Sequence, residues 1–272
     1  MKIAQFYKEG QIKLGFIKND HLVPLNFHGD MIDFIQSGQD YNLLDDKIPL
    51  DKIEFAPPVS RPSKIIGIGL NYLDHIRESK GEAPEIPLIF AKFPSSLTGH
   101  KHSITWNRDL TKKVDFEAEL VVVIGKGTYN CPEEKSMEAV FGYTCGNDVS
   151  ARDLQFGDGQ WVRGKTLDNF CPIGPWIITR DEIEDPHSLD IRSTLNGKVM
   201  QESNTDLMLF KIPQLISFLS NNFTLIPGDI ILTGTPHGVG AFRKPPIYMA
   251  DGDEIIVEIE NIGRLVNTCK TV

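Results

Sequence analysis

VDFEAELVVVIG (Val114–Gly125), then GYTCGNDVSARDLQ (Gly142–Gln155) and WVRGKT (Trp161–Thr166), sets the architecture of this 272-residue chain. Val121, Val122, Val123 and Ile124 form a continuous apolar run that reads as a strand buried on both faces. Asp115, Glu117 and Glu119 precede or enter it at alternate positions, so on a two-residue period their side chains leave one face about 7 Å apart. A strand entering a core does not load one face with three carboxylates unless a cation or water waits there. Asp148 follows in an Asn-Asp turn, where capping is the alternative role for its carboxylate. Arg152 and Lys165 come soon after, and together these residues make a candidate metal and anion site.

Spacing alone does not single out the acids. Glu182-Ile183-Glu184 and Glu258-Ile259-Glu260 repeat Glu-x-Glu, and the second ends an alternating strand, EIIVEIE, whose acids are expected to face water. Glu117 and Glu119 stand apart because an uninterrupted apolar strand follows them.

Composition bounds the rest. Charged residues make up 24% of the chain and hydrophobic ones 40%, ordinary for a globular protein. A net charge of −9 without a Lys/Arg cluster argues against nucleic acid. The N-terminus has no apolar leader and no run approaches a membrane span, so neither secretion nor membrane insertion is expected. Cys131, Cys145, Cys171 and Cys269 form no CxxC pair and read as reduced thiols. These features predict a cytoplasmic protein.

Residues 1–57 read as a small β-rich N-terminal domain: KIAQFY, KLGFIK and HLVPLN are short strands, and a helix-like cluster runs from Met31 to near Gly38. Three prolines within Pro57–Pro62 mark the junction with a second domain, residues 58–272. Gly67-Ile68-Gly69 invites a dinucleotide reading, but Tyr72 occupies the third-glycine position. The glycines are instead expected to turn the chain before a helix, Tyr72 to Lys80. On it His75 and Glu78 share a face, either a surface pair or a base and its orienting carboxylate on a lid. His100-x-His102 lacks further zinc ligands nearby. GQWVRGKT satisfies the bare phosphate-loop expression without its strand and helix. A hairpin about Asn196-Gly197 and a helix from Pro213 to Ser220 follow. Thr233–Gly240, after an apolar strand, is a small-residue loop able to hold an anionic group.

In order, GIGLNYLDHIRE (67–78), DFEAELVVVIGK (115–126), GYTCGNDVSARDLQ (142–155), GKTLDNFCPIGPW (164–176) and GDIILTGTPHGVG (228–240) resemble the fumarylacetoacetate hydrolase family. The likeness extends over roughly residues 60–272 and looks closest to the domain-containing branch and the bacterial enzymes of homoprotocatechuate breakdown, an aromatic catabolic route. It implies an α+β, mostly β fold, a mixed β-sandwich roll, and a homodimer carrying Mg²⁺ or Mn²⁺. By the same resemblance Glu117, Glu119 and Asp148 hold the ion, His75 and Glu78 form a lid dyad, and Lys165 is catalytic. Arg152, Gln155 and Thr235 bind substrate, Thr235 holding a carboxylate. Asp115 falls outside this ligand set, as an acid beside the site or on the surface.

All-carboxylate ligation suits a hard cation. The expected substrate is a small 2-oxo or 2-hydroxy-enoic acid reacting through an enolate. C–C hydrolysis or decarboxylation of acylpyruvate-, oxaloacetate- or fumarylacetoacetate-like acids is the leading expectation. Isomerisation of hydroxydienedioates or tautomerisation of oxaloacetate is the alternative, and a non-catalytic 2-oxo-acid binder a further one.

Overall fold

The structure is a computed structural model and describes residues 1–38 and 41–272. The apolar run forms strand Ala118–Ile124, every residue of which is buried. Leu120, Val122 and Ile124 enter one core with Ile191, Val257, Ile259 and Leu265. Val121 and Val123 enter another, with Ile3, Leu14, Phe16 and Ile230. Side-chain alternation along one strand thus ties two cores together.

This strand is central in the large mixed sheet. On one side lie Val140–Asn147, Cys171–Thr179 and then Lys2–Lys8, Gln11–Lys18, His21–Pro24 and Ile48–Pro49. On the other lie Ile230–Leu232, Ile65–Gly69 and, at the edge, Leu88–Lys92. The N-terminal strands join through Lys2 opposite Ile178 and Ile3 opposite Ile177. A second sheet runs in the order Lys198–Asn204, Asp190–Leu195, Glu254–Ile259, Gly263–Thr271, Ser103–Trp106. Both sheets bury apolar side chains in the first core, and helix Ile212–Asn222 adds Ile212, Leu215, Ile216 and Leu219. The fold is mostly β with mixed sheets and helices packed on them, as the sequence led us to expect.

The strand of the opening stretch is not continuous. Val114–Asp115 pairs with Ser150–Ala151, the chain leaves strand geometry at Phe116 and Glu117, and it re-enters at Ala118. Parity therefore does not carry Asp115 onto the face of Glu119.

Candidate active site

Strand register builds the site. Ala118 lies opposite Asn147 and Glu119 opposite Gly146, which sets the start of one strand beside the end of the other. The Asp148 N–H donates to the Glu117 carbonyl at 2.9 Å, and the Glu117 N–H to Asn147 Oδ1 at 2.9 Å. Carboxylates distant in sequence thereby converge: ligand atoms of Glu117, Glu119 and Asp148 lie within 4.8 Å of one another, all three buried. Asp148 does not cap a helix.

Three cations enter the cluster. Lys165, at the end of the short helix Trp161–Lys165, donates to Glu117 Oε2 at 2.8 Å and Asp148 Oδ2 at 2.6 Å. A Cβ on Gly164 would lie 2.7 Å from the Ala151 carbonyl oxygen, so only glycine lets this helix approach so closely. Arg152 donates from Nε to Asp115 Oδ2 at 2.9 Å, and its Nη2 lies 2.7 Å from Glu117 Oε1. Lys92, which our sequence reading passed over, donates to Asp148 Oδ1 at 2.6 Å and to the carbonyl oxygens of Val149 and Lys165. The signal for it was a single lysine inside the apolar string LIFAKF.

Asp115 is buried and holds the wall of the site. Besides Arg152 it accepts from the N–H groups of Gly240 at 2.7 Å and Ala241 at 2.9 Å. Glu119 differs from its neighbours. The Gly234 N–H donates to its Oε2 at 2.7 Å, but among the described residues no cation pairs with it.

Electrostatics follow that asymmetry. Burial works to raise the Glu117 carboxyl, but Lys165 and Arg152 overcome it and hold Glu117 well below the usual range. Burial, with Asp148 and Glu117 adding repulsion, pushes Glu119 well above the usual range. Burial opposes the Lys165 charge, yet Asp148 and Glu117 keep that ammonium above its ordinary value. Four buried acids (Asp115, Glu117, Glu119, Asp148) thus face three buried cations (Lys92, Arg152, Lys165), and Glu119 lacks a countercharge. An oxygen-only donor set with one unbalanced carboxylate fits a hard divalent cation.

His75 and Glu78 sit on helix Leu73–Ser79, with His75 Nδ1 3.3 Å from Glu78 Oε2. Both Glu78 oxygens accept from the Gly238 N–H at 3.0 Å. Asp74 Oδ2 accepts from Ser203 Oγ at 2.7 Å and lies 2.8 Å from His237 Nδ1. The helix is therefore docked on the Thr233–Gly240 loop. His75, Glu117, Arg152, Gln155, Lys165 and Thr235 line one cavity of about 100 Å³ with Phe90, Trp161, Phe156 and Phe242.

Two expected substrate contacts are already engaged. The Thr235 hydroxyl donates to the Ala118 carbonyl at 2.9 Å and accepts from Gln201 at 2.8 Å. Gln155 Oε1 accepts from Arg152 Nη1 at 2.9 Å, which leaves its amide N–H groups for a ligand. The His100-x-His102 pair is taken up structurally: His100 Nδ1 accepts from the Val266 N–H at 3.1 Å, and His102 stacks on Tyr7.

A mostly β roll with a buried carboxylate triad beside a docked His–Glu helix makes the site of an enzyme for small molecules. The profile of the fumarylacetoacetate (FAA) hydrolase C-terminal family matches residues 64–270, and the chain belongs to this enzyme family. It is 48% identical over 221 residues, 81% of this chain and 70% of the relative, to the mitochondrial oxaloacetate tautomerase Fahd2a of Rattus norvegicus. The Homo sapiens mitochondrial oxaloacetate tautomerase FAHD2A is 45% identical over 222 residues, covering 81% of this chain and 70% of the relative. Among solved structures, the fumarylacetoacetate hydrolase of Exiguobacterium antarcticum superposes with TM-score 0.91 at 37% identity, covering 100% of both chains. The 2-hydroxyhepta-2,4-diene-1,7-dioate isomerase of Mycobacterium marinum gives 0.84 at 32% identity, covering 100% of this chain and 98% of that one.

These relatives correct one expectation. The cytoplasmic assignment conflicts with relatives named as mitochondrial. Its physical basis was weak, because free thiols do not separate one reducing compartment from another. No helix among the described residues is long and apolar enough to cross a membrane.

Proposed function

We infer that this chain is a tautomerase or isomerase of small 2-oxo acids, with keto–enol interconversion of oxaloacetate as its reaction. The meeting of His75, Arg152, Lys165 and Glu117 in one cavity of about 100 Å³ carries this reading. C–C hydrolysis, the leading expectation from sequence, needs room for an acyl extension and an attacking water. A tautomerase must hold only the acid and move one proton. Two relatives named as oxaloacetate tautomerases support the same choice.

Glu117, Glu119 and Asp148 would hold Mg²⁺ or Mn²⁺, which when bound supplies Lewis-acid polarisation of the substrate carbonyl. His75 takes the C3 proton and returns it on the opposite passage, its Nδ1 oriented by Glu78. Lys165 offers an ammonium to the C2 oxygen that gains charge as that proton leaves, and delivery of the proton held on His75 to this oxygen completes the enol. Arg152 and Gln155 fix the acid. The aromatic side chains keep water from competing for the proton.

In this proposal residues 1–57 form an N-terminal unit that extends the main sheet and shares its core, but among the described residues none of them lines the cavity. Ile86, Leu88, Ile89 and Phe93 are exposed on or beside the edge strand, which supports pairing of two copies as a homodimer. The functional test follows the decay of enol absorbance in fresh oxaloacetate. Acceleration by the Mg²⁺-loaded protein is expected, with its loss in EDTA and a drop of roughly 10²–10⁴ in His75→Gln. No acceleration over buffer, beside rapid cleavage of acylpyruvates, would overturn the reading in favour of a hydrolase.

A further inference from the structure

Gly67 and Gly69 do not turn the chain. Both lie in strand Ile65–Gly69, paired antiparallel with Leu88–Lys92 so that Gly67 faces Phe90 and Gly69 faces Leu88. The left-handed residue at the bend is Leu70, with φ 50°. A Cβ on Gly67 would fall 2.2 Å from the Phe90 ring, and one on Gly69 2.4 Å from Leu88 and 2.7 Å from Trp161. Carbon atoms in contact stand roughly 3.5–4.0 Å apart, so a side chain at Gly67 displaces Phe90 and one at Gly69 displaces Leu88 and Trp161. The two glycines are seats for Phe90 and Trp161.

The seated rings form one surface. Phe90 and Trp161 meet edge to face with centroids 5.8 Å apart, and Lys165 Nζ stands 5.2 Å from the Phe90 centroid. Gly69, Phe90 and Trp161 line the cavity together with His75 and Lys165. Its volume of about 100 Å³ lies well below the roughly 300–1,000 Å³ of pockets for drug-sized ligands. Methylenes added toward the rings must therefore displace part of the wall.

We propose that Phe90 and Trp161, seated on Gly67 and Gly69, set the length of acid the site admits and select four-carbon 2-oxo acids over six- and seven-carbon ones. This rests on the reading of the cavity as a 2-oxo-acid site. The polar residues bind the 2-oxo carboxylate end common to all such acids, and the aromatic pair measures the remainder.

Titration calorimetry of the Mg²⁺-loaded full chain with straight-chain saturated 2-oxo dicarboxylic acids of four to seven carbons tests the wall. In the parent protein affinity is expected to fall at least tenfold from the four- to the seven-carbon acid. In Trp161→Ala it is expected instead to rise with length, up to roughly fourfold per methylene, the gain from burying a CH₂. Trp161→Leu, which keeps an apolar contact on its helix, carries the same expectation should the alanine variant not fold. An unchanged fall of affinity with length in the trimmed variant overturns the proposal. Oxaloacetate interconversion by the parent protein, assayed separately, judges the functional reading: its absence with the ladder intact overturns that reading and not the wall.

Discussion

Glu117–Glu119 and Glu258–Glu260 are the same tripeptide pattern in two settings. Glu258, in strand Glu254–Ile259, pairs with Arg192 at 2.9 Å with both side chains 40% or more exposed. Glu260 faces water just beyond the strand's end. That strand turns Ile255, Val257 and Ile259 into the cores and leaves the acidic positions outside. Strand Ala118–Ile124 is covered on both faces, so Glu119 within it and Glu117 just before it have no solvent to turn to. Neighbouring strands, not the local sequence, decide whether a carboxylate is a solvated side chain or a charge that must be balanced inside the protein.

The buried member should break hardest at Asp148. Asp148→Ala removes the shared anion of Lys92 and Lys165 and leaves two buried ammonium groups short of countercharge. A loss of about 3–5 kcal/mol in urea unfolding is expected, the range for breaking a buried ion pair. A loss below about 1 kcal/mol would mean that water enters the cluster freely.

Glu119 gives a smaller effect with a defined sign. Its carboxyl is raised, so in metal-free protein it keeps a proton that the unfolded chain has released above pH 4.5. The unfolded state then binds fewer protons than the native one. Stability should decline by up to about 1.4 kcal/mol per pH unit as pH rises from 4.5 toward the folded-state value. Glu119→Gln should remove that decline, as pH-resolved denaturation would reveal, and an unchanged slope would refute the missing countercharge. At the exposed copy, Glu258→Gln should change stability by less than about 1 kcal/mol, the ordinary worth of a surface ion pair.

Much of this contrast was legible before any coordinates. Apolar continuity after Glu119 and alternation before Glu260 separate the two copies by sequence alone. The family strings supplied Asp148, whose approach to Glu119 depends on antiparallel register. What could not be read depended on partners remote in the chain. Lys92 has no local pattern, because its role exists only where the turn at Asp148 passes beneath the edge strand. Strand parity set Asp115 on the face of Glu119 across Phe116 and Glu117, where the strand breaks, whereas the family likeness set it outside the ligand triad, and it lies beside the site against Arg152. Gly67 and Gly69 were read as turn-formers because the aromatic rings that need their space lie 21 or more positions away.

Mn²⁺ binding, measured by calorimetry on the parent chain, Glu119→Gln and Glu260→Gln, tests the contrast most directly. Expected is one tight site per chain in the parent and in Glu260→Gln, lost or weakened at least tenfold in Glu119→Gln. Equal affinity in all three proteins would contradict the assignment of the buried triad as the metal centre.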